Sequence, residues 1–194
     1  MKNIVLLLSI MLFVGCNNSD MGIDNLNTDY EYEFADTEFS VMEVLTSAEG
    51  WHIPMNGRCY YTEPDGQGEM HKVPQGDWVG GGGKIYSFSE GMMTTYVNSD
   101  PPKPDYFRQR TFTKEGDDRY VFGDNGEFYW KILDYDEDKF YIECNVIHGY
   151  VGGVYYPYTR CFLIKNDFSA KPNWKDRYVS YEEYLKALEE LENK

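Results

Sequence analysis

Between Trp51 and Asn166 the chain reads as a succession of short extended runs separated by turn chemistry. Phe128, Trp130 and Ile132 alternate with Tyr129 and Lys131. Phe140, Ile142, Cys144 and Val146 alternate with Tyr141, Glu143 and Asn145, so each run has one apolar face. Lys84 to Ser89 and Met92 to Val97 flank Glu90-Gly91, a two-residue hairpin connection whose second-position glycine suits a type I′ turn. Tyr106 to Phe112 follows Pro101-Pro102-Lys103-Pro104, and Arg119 to Phe122 follows Glu115-Gly116-Asp117-Asp118. Gly123-Asp124-Asn125-Gly126 turns into Glu127 to Leu133, and Lys139 to Ile147 and Val154 to Ile164 complete the series. Prolines and glycines interrupt residues 54 to 83, where one run near Arg58 to Thr62 is expected. Consecutive short antiparallel strands of this kind predict a barrel or a sandwich.

Two helices frame the strands. Ser40 and Glu43 form a capping box ahead of Val41, Met42, Val44 and Leu45, and Gly50 stands where the chain leaves helical geometry. Ser180 and Glu183 form a second box, after which Tyr181, Tyr184, Leu185, Leu188 and Leu191 recur at helical spacing. The C-terminal helix is therefore amphipathic, with its stripe expected on the outside of the β-structure or, alternatively, against a partner.

At the other end Lys2 precedes an apolar run, Ile4 to Val14, too short to span a bilayer as a stable helix. The ending Leu12-Phe13-Val14-Gly15-Cys16 resembles the lipobox of bacterial lipoproteins, with a small residue before the cysteine that is lipidated. The resemblance implies cleavage after residue 15 and attachment of acyl chains at Cys16. Asn17 stands where an aspartate would imply inner-membrane retention, so the outer membrane is the implied address, on its periplasmic face or at the cell surface. Residues 16 to 38 are rich in Asp, Glu and Asn with little apolar periodicity, which reads as an acidic tether, although Tyr30, Tyr32 and Phe34 alternate with acids as a docking strand would. The remaining 39 to 194 suffice for one domain.

A formal charge of −15 repels phosphate backbones and anionic headgroups, which argues against nucleic acid as a partner. Aromatics are 17% of the chain, a composition that suits half-buried strands, and tyrosine excess also suits sugar-binding surfaces. Beyond Cys16, three cysteines allow three single bridges. Cys144 and Cys161, on consecutive predicted strands, are the favoured pair, and three buried thiols are the alternative.

The chemistry that would mark an enzyme is missing from the sequence. His52, His71 and His148 stand without partners at metal-site spacing. Asp134, Asp136 and Asp138 begin like a calcium loop but lack its glycine and closing glutamate, and so read as a solvated hairpin turn. Gly80 to Gly83 before Lys84 departs from a phosphate loop, with Trp78 at the first glycine and Ile85 in place of Ser or Thr. No nucleophile elbow surrounds a serine. No catalytic residue, metal or cofactor is assigned.

Gly50-Trp51, after a short helix and at the head of the strand series, resembles the opening of the lipocalin-like lipoproteins of Gram-negative bacteria. In that family a G-x-W motif begins the first barrel strand, and an arginine of the last strand packs over the tryptophan. Here the glycine is adjacent to Trp51, and Arg160 in Thr159-Arg160-Cys161-Phe162 holds the late-strand position. The resemblance implies an all-β, antiparallel barrel of about eight strands with a short N-terminal helix and a C-terminal amphipathic helix, and a structural pair of Trp51 with Arg160. It also implies an interior lined by Trp51, Tyr86, Phe88, Phe128, Trp130, Phe140 and Ile142, which either holds a small hydrophobic ligand or is filled by those rings. The function expected is non-enzymatic: a monomeric, lipid-anchored envelope protein that binds a small hydrophobic or amphipathic molecule or serves as an accessory protein. The alternative is a surface glycan-binding module.

Overall fold

The computed structural model describes residues 34–54, 59–73, 83–123, 128–145 and 148–193. The expected lipid site at Cys16 and signal segment, the loop around Trp78 and residues 124–127 lie outside them. Among the described residues no helix is long and apolar enough to cross a membrane.

Helix α1 (Val41–Ser47) starts at the predicted capping box: the Ser40 backbone N–H donates to Glu43 Oε2 at 2.7 Å, and the Glu43 N–H donates back to Ser40 Oγ at 3.4 Å. It delivers the buried Val44 and Leu45 to one end of the β-structure. Gly50 follows because nothing larger fits: a Cβ there would lie 2.6 Å from Ile85 and 3.2 Å from Phe168. The first strand is split into β1 (Trp51–His52) and β2 (Cys59–Thr62), and β3 (His71–Lys72) pairs with β2.

The meander then runs β4 (Lys84–Ser89), β5 (Met92–Val97), β6 (Tyr106–Glu115), β7 (Arg119–Phe122), β8 (Phe128–Tyr135), β9 (Lys139–Cys144), a separate ribbon of β10 (Gly149–Val151) with β11 (Val154–Tyr156), and β12 (Tyr158–Lys165). Each main strand pairs antiparallel with the next, and β1 pairs with both β4 and the end of β12, so eight strands close into a ring. Closure removes the free edges that an open sheet would leave. This is the expected closed, antiparallel eight-stranded barrel with its two helices.

Several local expectations need correction. At the β4–β5 turn only Gly91 takes a positive φ, +68°, so the turn is not type I′, which would force Glu90 and its Cβ into the left-handed region as well. The run Val154 to Ile164 is two strands, since Pro157 has no N–H to continue the ladder, and the first piece folds back on β10 through Gly152-Gly153. β8 carries a bulge between Ile132 and Asp134 that shifts its register on β9.

The inward faces of the ring and α1 form one core containing Trp51, Phe88, Trp130, Ile132, Phe140, Ile142 and Leu163. The outer faces are less wet than alternation predicts. Phe34 stacks on Phe162, which stacks on Tyr141, so the end of the predicted tether lies against the barrel. Asp136 is buried too: it accepts from the N–H groups of Asp138 (2.9 Å), Lys139 (3.0 Å) and Ala35 (3.2 Å) and from the Lys139 ammonium at 2.5 Å. It clasps the β8–β9 hairpin instead of sitting in a solvated turn.

A second outer layer comes from the chain after β12. The 3-10 turn Trp174–Arg177 sets Trp174 against Phe168 (4.1 Å, stacked) and Tyr96 (4.7 Å, edge-on). The Trp174 indole N–H donates to Glu49 at 3.0 Å. Strand β13 (Val179–Ser180) then adds parallel to the start of β6 and leads into α2 (Tyr181–Glu192), capped by Ser180 and Glu183 as expected. The α2 stripe does not lie on the outer face as expected: Tyr184 stacks at 4.2 Å on Tyr106, whose side chain shares the inward face of β6, and Leu185 remains 42% exposed.

Candidate functional site

Three consecutive inward-facing rows build the site. Lys84 of β4 stands opposite Val97 of β5, which stands opposite Tyr106 of β6; the next row is Tyr86, Thr95 and Arg108; the third is Phe88, Met93 and Arg110. Side chains directly opposite in antiparallel strands share a face and sit about 4.5–5.5 Å apart at Cβ. Across from these rows are Phe122, Phe128 and Trp130, and Tyr181 at the head of α2 completes the lining of a cavity of about 130 Å³.

On its far edge β6 pairs with β13 at Tyr106 and Phe107 and with β7 from Phe112 to Glu115, and Gly123 N–H reaches the Thr111 carbonyl. Residues 108–110 have no ladder partner on that edge among the described residues, and this is where the cavity meets Arg108 and Arg110. The Arg108 guanidinium carbon lies 5.0 Å from the Tyr181 ring centre, and that of Arg110 lies 5.6 Å from the Phe128 ring centre. These aromatic faces hold the cations at the mouth.

The floor is aromatic. Trp130 meets the edges of Tyr86 at 5.0 Å, Phe122 at 5.4 Å and Phe88 at 5.5 Å. Burial pushes the Tyr86 phenol far up, so it stays neutral and able to donate. Burial also pushes Lys84 down, with the Arg110 charge adding to the effect, and burial followed by Arg108 pushes Arg110 down. In each case removal from water and repulsion among like charges act together.

Of the seven sequence-predicted ligand residues, Tyr86, Phe128 and Trp130 line the cavity. Trp51, Phe88, Phe140 and Ile142 are spent on the packed core: Trp51 meets Phe140 edge-on at 4.9 Å and donates its indole N–H to the Leu45 carbonyl at 2.9 Å. The interior is therefore filled at the α1 end and hollow beside β4, β5 and β6.

The expected Trp51–Arg160 pair is not made. Cys161 and Leu163 face the core, so Arg160 between Thr159 and Cys161 faces outward, where its Nε donates to Glu143 at 3.1 Å. Trp51 lies at the other end of β12, opposite Lys165. The expected Cys144–Cys161 bridge is not made either. All three cysteines are buried free thiols, with Cys161 directly opposite Cys59 and Cys144 opposite Thr159. The hydrogen bond with Cys144 works to lower the Cys161 thiol, but the hydrogen bond with Cys59 and burial outweigh it and hold it well above the usual thiol range.

No family model matches the chain, and no curated protein does. Among solved structures it is similar to bovine odorant-binding protein complexed with its natural ligand, at 15% identity over 82% of this chain and 87% of that one, TM-score 0.38. The bovine protein in complex with undecanal gives 14% identity over 82% and 87%, TM-score 0.38. The form from bovine nasal mucosa gives 15% over 73% and 84%, TM-score 0.37. The strand order and closure described above, not this likeness, define the architecture of the chain.

The lining residues that sequence reasoning missed are chiefly Lys84, Thr95, Arg108 and Arg110. A signal existed in Tyr106-Phe107-Arg108-Gln109-Arg110-Thr111-Phe112, where both arginines share the parity of Tyr106 and Phe112. Arg110, half-buried on an otherwise aromatic face, is costly to hold there without purpose, while Arg108 stays exposed at the mouth.

Proposed function

We propose that this chain is a lipid-anchored cell-envelope protein whose barrel binds a small apolar or amphipathic molecule and performs no chemistry on it. The observation that carries the reading is a cavity of about 130 Å³ inside a closed barrel, with Tyr86, Phe122, Phe128 and Trp130 on its walls. A cavity of about 150 Å³ accommodates benzene, so the space suits one aromatic ring or a short aliphatic segment. Concave, mostly apolar sites with a few polar groups are the usual form of small-molecule sites. The anchor rests on the lipobox-like Gly15-Cys16 and the apolar run before it. The outer membrane, on either face, is the proposed location.

The test is retention of small molecules by the full chain. Incubation with a lipid and small-molecule extract followed by native mass spectrometry is expected to show a bound species that is lost on filling the cavity with Thr95→Trp. An unliganded chain throughout would overturn the binding reading. For the anchor, Cys16→Ser is expected to abolish incorporation of labelled palmitate and release the protein from membranes; unchanged labelling would remove that part.

The glycan-module reading has one feature in its favour. Tyr150 is 71% and Tyr155 44% exposed, side by side on the β10–β11 ribbon at 5.1 Å. A glycan array in which Tyr150→Ala and Tyr155→Ala abolish binding would favour it over the cavity.

A further inference from the structure

Lys84, Arg108 and Arg110 converge on one cavity in a chain whose formal charge is −15. With acids outnumbering bases 33 to 18, the ordinary expectation for any cation is a carboxylate neighbour. Among the described residues these three have none. Among the described residues no Asp or Glu lines the cavity, and the ion pairs are made by His71, Arg119, Lys131, Lys139, Arg160, Lys165 and Arg177. Instead the three repel one another. Lys84 and Arg110 pay for burial and for each other's charge, while Arg108 and Arg110 are turned onto aromatic faces.

A second, independent feature points the same way. Thr95 is 6% exposed and lines the cavity between Tyr86 and Arg108 in register, and its Oγ1 is buried without a hydrogen-bond partner. Buried hydroxyls are normally satisfied, so an orphan aimed at a cavity calls for a polar group within it. A hydroxyl beside three cations most readily donates to an acceptor that is itself negative.

We infer that the cavity takes a small carboxylate, an aromatic or short-chain acid whose apolar part lies on Phe128 and Trp130 and whose head sits among Lys84, Arg108, Arg110 and the Thr95 hydroxyl. This rests on the reading of the barrel as a small-molecule binder. The head neutralises mutual repulsion that the empty cavity retains and satisfies the orphan hydroxyl. The tail replaces water on the aromatic floor. Arg108 is exposed where the cavity reaches the surface, so the head lies among the cations there and the tail points inward.

Isothermal titration of the full chain with 4-phenylbutanoate and with 4-phenylbutan-1-ol, equal in skeleton and opposite in head, tests this. The acid is expected to bind at least ten-fold more tightly, and its advantage is expected to shrink as salt rises. Arg110→Gln and Lys84→Gln should each erase most of that advantage, weakening the acid far more than the alcohol. Thr95→Val, which keeps the shape of the wall, should weaken the acid several-fold and guards against a glutamine variant that fails to fold. Equal binding of acid and alcohol, or an acid preference that survives both glutamine variants, overturns the inference and leaves the binder reading standing. No binding of either probe, with no other apolar compound retained, removes both.

Discussion

Replacing Arg160 by Met removes one end of an ion pair whose other end has almost no access to water. Glu143 is 2% exposed, and its Oε2 lies 3.1 Å from Arg160 Nε. At an effective dielectric of about 20, charges at that separation attract by about 5 kcal/mol. Desolvation of both groups cancels much of this in the intact protein, but Arg160→Met leaves the buried carboxylate with only the more distant charge of Lys131, opposite it on β8, for which about 2–4 kcal/mol of destabilisation is expected. Glu143→Met should cost less, since the arginine side chain is 17% exposed and can turn its head to water. The double variant should recover most of the loss, giving a coupling of several kcal/mol in a double-mutant cycle measured by urea unfolding. A parallel cycle with Trp51→Phe should be additive within about 0.5 kcal/mol, because Trp51 and Arg160 are at opposite ends and on opposite faces of the β12 ladder. A loss below about 1 kcal/mol for Arg160→Met, or coupling of Arg160 to Trp51 instead of Glu143, would refute the outward placement of Arg160.

Three further outcomes are expected. Thr95→Val should stabilise the unliganded chain by about 1 kcal/mol, because it removes a buried hydroxyl without a partner; a destabilisation in urea unfolding would mean the hydroxyl is satisfied. Burial works to raise the Asp136 carboxyl, but Lys139 and the N–H donors of Asp138 and Ala35 outweigh it and hold the pKa below the usual range. Its stabilisation is therefore complete above about pH 4 and is lost as pH falls through the depressed folded value, so the gap between wild type and Asp136→Asn should close in acid; a constant gap contradicts this. Cys59, Cys144 and Cys161 should resist iodoacetamide in the native chain and all react once it is unfolded, as counted by mass; two of the three remaining unreactive without reductant would indicate a bridge.

The barrel was legible because its signals are local. Period-two alternation in Phe128 to Ile132 and Phe140 to Cys144, the glycine at 91 and the two capping boxes each act within a few residues, and the strands and helices follow them. Pro157 was equally local, and its break in the last predicted strand could have been read. The site was less legible because it is assembled by register. Lys84 and Arg110 are neighbours only after β4, β5 and β6 align, and no sequence spacing reports that alignment. The Trp51–Arg160 expectation failed on parity: Cys161 and Leu163 face inward, so Arg160 cannot. Which of the inward rings would line a void and which would fill it depends on where α1 plugs the barrel, and that is a property of the packed whole.

The most direct measurement is a crystal soaked with 4-bromophenylacetate and read at the bromine absorption edge. An anomalous peak inside the barrel against Phe128 and Trp130, with the carboxylate toward Lys84 and Arg110, is the predicted result. A peak on the exterior at Tyr150 and Tyr155, or a carboxylate that lies away from the three cations, would contradict it.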